Sequence, residues 1–467
     1  MVDDLLKELL NMLFITMYKY KYYEALFYVI SIGLHYQGLK IMKIISLKLG
    51  VLLILIVCAC KNENKNINTV SVIDIGSSVN NWKVANLSSF ADRIQYVPLE
   101  NADNMLLRNI VDADFSKSLI LLSDNNKCLL YDTQGDFISK IGNQGRGPGE
   151  YLLITDFGIG SGITPNIYVS SFYDIHEYNI NGSLVNEYPN SLLINDTVAV
   201  SNWKIFSDSL FFGHLPNNTG KNSFKAIIFD KYGKVVHAYK NYDLFTRDFK
   251  NSSSTYENFA HINYFKDTLF YKNIFNDTIW FLNIQSNLVG RYTFDFGKYK
   301  FPTSERAKIQ NWKLTMSDYM FVSEVFQTEN FLFINCDFKS YFPAKRLTPK
   351  IIMGMSAEYN TTNALGIYNK TTRELFFCEP TSTDNPMFTS GIYNDIDAGP
   401  RFFPKVQVND STMVMFVSAK ELKDHVESDD FKNNTPKYSE RKKELKEIAD
   451  NLGEFDNPIL MFVTFKY

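Results

Sequence analysis

The chain is poor in the residues that most often perform chemistry. Its 467 residues include 6 His and 5 Cys, and 48 Lys and Arg stand against 51 Asp and Glu, a formal net charge of −3. With no basic surplus, nucleic acid is an unexpected partner, since phosphate backbones are held by clustered positive charge. The apolar run from Leu49 to Cys60 covers only 12 residues, short of the roughly 20 that cross a bilayer as a helix. No HExxH, GxSxG, P-loop or EF-hand pattern occurs, which removes the commonest local signatures of hydrolases, nucleotide binders and calcium sites. Cys128, Cys336 and Cys378 lie in apolar, strand-like contexts without CxxC or Cys/His spacing. They read as buried free thiols, neither a zinc site nor a disulfide framework. What the chain has in abundance is aromatic residues, 38 Phe, 28 Tyr and 4 Trp, a composition that leans towards strands.

Residues 42–60 read MKIISLKLGVLLILIVCAC. Two early lysines, an apolar stretch of signal-peptide length and a terminal cysteine follow the order of a secretory signal. The ending Val57-Cys58-Ala59-Cys60 resembles the bacterial lipobox. That resemblance implies a signal peptide at 42–59 and lipidation of Cys60, with acyl chains holding the protein to a membrane. Residues 60–70, crowded with Asn and Lys, read as a flexible tether. Signal peptides begin at the initiator methionine, so 1–41 read as a mis-assigned start or a leader extension.

From residue 71 to 467, short runs of period two alternate with Asn, Asp, Gly and Ser clusters, the pattern of an all-β domain. A hairpin sentence recurs: an apolar strand, an aromatic with Asp or Asn, a turn, and a second strand. It appears at Leu129–Ile138, His176–Val185 and Ile228–Val236, with weaker copies at Ile279–Asn283 and Ile367–Phe376. Gly135, Gly182 and Gly233 supply the positive φ of its tight turn. The aromatics Tyr131, Tyr178, Phe229 and Phe281 are 47, 51 and 52 residues apart, and Tyr368 follows after 87. The long gap has room for one degenerate unit, with Phe331–Cys336 as a candidate strand. A period near 50 points to propeller blades. The expected fold is a six-bladed β-propeller of four-stranded antiparallel blades, with helices expected at 304–311 and, as a late insertion, at 436–452. The strand at Ile94–Leu99 is expected to pair with C-terminal strands and close the ring.

Ile141–Tyr151 holds four glycines in eight residues and suggests a phosphate cradle at first sight. No helix-forming stretch follows it, so it reads as a connection between blades, with Arg146 and Glu150 placed to pair. Its core, Gly145, Gly147, Pro148, Gly149, Glu150 and Tyr151, resembles the inter-blade motif of the six-bladed β-propeller lipoproteins of Bacteroidetes, relatives in architecture of TolB-like and NHL propellers. Val97–Leu99, Tyr393–Pro404 and Asp456–Phe462 resemble the same family. The resemblance implies a propeller and an outer-membrane lipoprotein, with the membrane face undecided. It leaves activity open: a binding or scaffold module for a protein, peptide or glycan, or a lactonase- or lyase-like enzyme with a metal in the central channel.

Residue by residue, chemistry is sparse. Asn394, Asp395 and Asp397 form the densest polar cluster, read either as a ligand site or as turn chemistry. His176, His214, His237 and His261 fall in separate strands and His425 in a polar segment, and they read as surface or satisfied core groups. No catalytic residue, metal-ligand set or cofactor is expected.

Overall fold

The computed structural model describes residues 70–466. It leaves aside 103–104, 108, 125, 172–173, 190–199, 208, 247–258, 284, 309–315, 344–346, 353–354, 361 and 381–389, and the side chains of 344–361. The leader, the signal, Cys60 and the tether up to residue 69 lie outside the described residues.

Six antiparallel sheets follow one another along the chain. Blade 1 comprises Asp112–Phe115, Leu119–Ser123, Cys128–Asp132 and Phe137–Lys140. Blade 2 comprises Asp156–Ile159, Ile167–Ser170, Asp174–Tyr178 and Leu184–Pro189, and blade 3 Trp203–Ser207, Leu210–His214, Phe224–Asp230 and Val235–Lys240. Blade 4 runs Ala260–Phe265, Thr268–Asn273, Thr278–Leu282 and Leu288–Asp295. Blade 5 runs Phe321–Gln327, Phe331–Asp337, Asn363–Asn369 and Leu375–Cys378. Blade 6 takes Val406–Gln407, Thr412–Val417 and Ile459–Phe465 from the end of the chain, and Ala91–Pro98 from its beginning as fourth strand, with Ile94 opposite Val463 and Val97 opposite Leu460. The first strands of successive blades touch around a closed ring and form the wall of a central channel. The fold is therefore the six-bladed propeller that the sequence pattern predicts.

Burial follows the ring. Six apolar clusters fill the six gaps between neighbouring blades; Leu121, Leu130, Phe157 and Val169, for example, pack blade 1 on blade 2. The recurrent turn has one construction in blades 1 to 4 and a version one residue longer in blade 5. Oδ1 of Asp132, Asn179, Asp230, Asn283 or Asn369 accepts two backbone N–H groups of its own turn, an Asx turn that closes the third and fourth strands. A residue of positive φ completes it: Gly135, Gly182 and Gly233, then Ser286 and Arg373 in the weaker copies. Blade 6 has no such turn because its third and fourth strands are joined only through space.

Two details of the repeat differ from the sequence reading. In blade 4 the residue before the Asx position is Leu282, and it packs towards blade 3. Phe281 points the other way, towards blade 5. Consecutive strand residues face opposite sides of a sheet, so counting from the aromatic put the repeat one residue out of step. The 87-residue gap hides no extra unit, because Phe331–Asp337 pairs with Asn363–Asn369 inside blade 5. The gap holds the hairpin Leu347–Ile352 and Met355–Asn360, inserted between those two strands.

The N-terminal stretch does more than close the ring. Ser71–Asp74 runs parallel to the fourth strand of blade 4, and Trp82–Lys83 parallel to the fourth strand of blade 5. A strap thus passes over the outer edges of two blades before entering the third. Helices form at Thr303–Lys308, overlapping the expected 304–311, and at Ser439–Asn451, inside the expected 436–452. Two more stand at Ala419–Glu427, opened by a Ser418–Glu421 capping box, and at Asp429–Asn433.

Candidate functional site

The first strand of a blade is the one place where side chains from every blade can meet, and it is here that charge is concentrated. Blade 1 contributes Asp112 and Asp114, blade 2 Asp156, blade 3 Lys204, blade 4 His261 and blade 5 Glu324. Lys204 Nζ lies 3.4 Å from Asp114 Oδ1, while Asp114 Oδ2 accepts the Ile159 N–H at 2.8 Å. Burial alone would lower the Lys204 pKa, but the facing carboxylates of Asp114, Asp112 and Asp156 hold it above the ordinary value. Asp112 is raised by burial, with Asp114 and Glu324 adding repulsion and Lys204 opposing. The acids of blades 1 and 5 therefore share one field with the lysine of blade 3.

Asp156 is pushed up to about 7, chiefly by burial. Its two oxygens accept the N–H groups of Phe157 at 2.9 Å and Trp203 at 2.7 Å, tying blade 2 to blade 3. Glu324 Oε2 accepts from Asn335 Nδ2 at 2.7 Å. His261 is lowered to about 4, mainly by burial between Phe270 and Phe326, and its Nε2 has no hydrogen-bond partner. Between blades 5 and 6 the charge gives way to an amide clasp: Gln407 accepts from Gln327 N and donates to Gln327 O, each at 3.0 Å. Three carboxyl groups thus face one lysine, with Glu324 and a neutral imidazole in the same wall. Such a lining suits a polar or cationic ligand group. Among the described residues, these acids and His261 do not draw close enough to form a three-ligand metal group.

The residues singled out from the sequence lie elsewhere. In the glycine-rich motif Glu150 folds back so that Oε2 accepts the Gly147 N–H at 2.8 Å, and Glu150 N donates to Gly147 O. Gly145 N donates to Tyr151 O, and Tyr151 OH to Ile141 O at 3.0 Å. The N–H groups of Gly145, Gly147 and Glu150 are spent within the loop, and Glu150 bonds this backbone in place of the expected ion pair with Arg146. Gly149 has φ +70° and its carbonyl accepts from Tyr178 OH, while a side chain at Gly145 would strike the Glu150 carboxylate. Asn394, Asp395 and Asp397 sit between the strap and blade 6. Asp395 accepts from Ser88 N and Oγ, and Asp397 Oδ1 accepts from Asn394 Nδ2 at 2.6 Å, Gly399 N at 2.9 Å and Tyr96 OH at 3.2 Å. Burial raises the Asp397 carboxyl and, with Asp397 beside it, the Tyr96 hydroxyl.

Cys128, Cys336 and Cys378 are free and buried, and burial holds their thiols above the ordinary value. Of the four strand histidines only His261 stands in a first strand; His214 reaches Tyr271 OH and His425 the Ala398 carbonyl. The channel acids and Lys204 went unmarked in the sequence. Their one local signal is a charge set inside a short apolar strand at the head of each repeat, as in Val322-Ser-Glu-Val325.

Comparison with known proteins agrees with this architecture. Residues 70–464 match the family described as "Domain of unknown function (DUF4934)". A Bacteroides fragilis protein described provisionally as exported is 18% identical with a TM-score of 0.59, over 85% of this chain and 100% of its own. A member of the DUF4221 family from Bacteroides vulgatus is 12% identical with a TM-score of 0.43, over 80% of this chain and 97% of its own. Virginiamycin B lyase from Staphylococcus aureus is 11% identical with a TM-score of 0.33, over 62% and 89%. No curated protein matches the chain.

Proposed function

The chain belongs to the DUF4934 family, and from that premise we propose that it is a lipid-anchored binding module of the cell envelope, its central channel receiving a polar or cationic group of a peptide, protein or glycan. One observation carries the reading: Asp112, Asp114, Asp156, Lys204 and Glu324, brought from four further blades around His261, face a single channel. A merely structural ring has no use for several charges gathered in partly desolvated positions, since taking charge out of water costs free energy unless partners repay it. Asp156, pushed up to about 7, already gives both oxygens to backbone N–H groups. That favours holding a ligand over acid–base turnover. The lipid anchor rests on the sequence at 42–60.

The test is capture of envelope peptides and glycans by the wild type and by an Asp114→Asn, Lys204→Met variant of unchanged circular dichroism. The variant should lose what the wild type retains. Equal retention by both would remove the channel from the function. Chelator-sensitive turnover by the wild type would favour the enzyme reading. For the anchor, a fatty-acid analogue should label the wild type, and labelling that persists in Cys60→Ala would refute Cys60 as the site.

A further inference from the structure

Blade 2 carries a second group of potential ligands, away from the channel. Asp174 and His176 lie two apart on its third strand, and His176 stands directly opposite Glu187 on the fourth. Residues two apart on a strand share a face. One ligand atom from each of the three lies within 4.8 Å of the others, the only such His, Cys, Asp and Glu group among the described residues. His176 is 2% exposed, Asp174 half-buried and Glu187 exposed, so the group opens to solvent on its carboxylate side.

A second, independent feature fixes the imidazole. Tyr178 OH donates to the Gly149 carbonyl at 2.9 Å, which spends its proton. The contact between that hydroxyl and His176 Nδ1 at 3.0 Å must then carry a proton from Nδ1. Nε2 is left as a lone pair. This is the arrangement of metal-binding histidines, whose other ring nitrogen donates to an orienting partner and so sets tautomer and ring angle. Here the orienting chain ends in the glycine-rich motif, whose Gly149 takes φ +70° to present that carbonyl.

We propose that Asp174, His176 and Glu187 form a binding site for one divalent transition-metal ion of the zinc class. One imidazole and two carboxylates suit Zn²⁺ or Mn²⁺ better than Ca²⁺, which takes six to eight oxygens, or Cu⁺, which takes sulfur. Tetrahedral ligands about 2.1 Å from zinc stand roughly 3.4 Å apart, a closure within reach of the Asp174 and Glu187 side chains. Water completes the coordination on the open side.

Isothermal titration of the full-length protein with zinc chloride should show one saturable site per chain. Glu187→Gln, an exposed change that leaves the fold intact, should weaken it by about tenfold or more, and Asp174→Asn likewise. Tyr178→Phe keeps all three ligands but removes the relay, and should weaken binding while Co²⁺ still gives its ligand-field bands. Absence of a stoichiometric site in the folded protein, or uptake unchanged in both Glu187→Gln and Asp174→Asn, would overturn the assignment.

Discussion

Asn457 shows what one residue can hold in this molecule. It is sealed from solvent; Oδ1 accepts from Leu107 N at 2.7 Å, Nδ2 donates to Glu100 O at 2.9 Å, and its own N–H donates to Asn101 Oδ1 at 2.8 Å. Asn457→Ala would leave the buried Leu107 N–H without a partner and remove the bond to the Glu100 carbonyl, at about 1 to 3 kcal/mol for the buried group. A fall of about 3 kcal/mol in unfolding free energy is expected from urea titration, and a fall under about 1 kcal/mol would show that water replaces the side chain. Lys272 makes a different prediction. It is 1% exposed, donates to the carbonyls of Asn273 and Val322, and is lowered to about 7 by burial, with Asp277 and Cys336 opposing. The free side chain titrates near 10.4, so between about 7 and 10 the unfolded chain binds more protons than the folded one. The contribution of Lys272 to stability should therefore rise with pH across that window, full above the unfolded value and lost as pH falls towards 7. Lys272→Met should remove that contribution, read as a wild-type minus variant difference in denaturant midpoint that grows between about pH 7 and 10.

Among elements, the Asx turn was the most legible from sequence, because its acceptor and its positive-φ residue lie within five positions of each other. Where glycine is replaced, as at Ser286 and Arg373, the copy reads as weak, although the Ser286 turn is the same and the Arg373 turn only one residue longer. Ser286, at φ +58°, bears the left-handed cost of a side chain, about 1 to 2 kcal/mol. Ser286→Gly should raise the melting temperature, offset by about 0.5 to 1 kcal/mol of added chain entropy. Gly135→Ala should do the opposite and more strongly, since a Cβ there would meet the Pro98 carbonyl, and a loss above about 2 kcal/mol is expected. Gly182 meets the Lys140 carbonyl in the same way. Pro98 ends the fourth strand of blade 6 and Lys140 that of blade 1, so the same turn seats itself on the preceding blade each time. The channel was far less legible. Lys204 and Glu324 are each one charge in an apolar strand, Asp112 and Asp114 alternate in a four-residue one, and only the position of those strands as first in their blades gives the charges a common address.

At the scale of the whole molecule, the strap is the part that local pattern could not reveal. Ser71 pairs with Tyr292 and Trp82 with Phe377, partners more than 200 residues away, and no turn between them leaves a signature. Only Ile94–Leu99 was foreseen, because a ring of blades needs a closing strand. The strap and closing strand make the propeller's integrity depend on residues 70–99. Without them blade 6 keeps three strands, the outer edges of blades 4 and 5 lose their parallel partners, and Val463 and Leu460 lose Ile94 and Val97. Unpaired edges recruit other chains, and the cluster between blades 6 and 1 would open through the loss of Val97 and Leu99. A chain beginning at residue 100 is therefore expected to lose its cooperative melting transition and to associate in sedimentation velocity, whereas one beginning at residue 70 melts as a monomer. Should the shorter chain melt as sharply as the longer, the ring would be closed by blade packing alone, and the strap would be covering, not closing, the propeller.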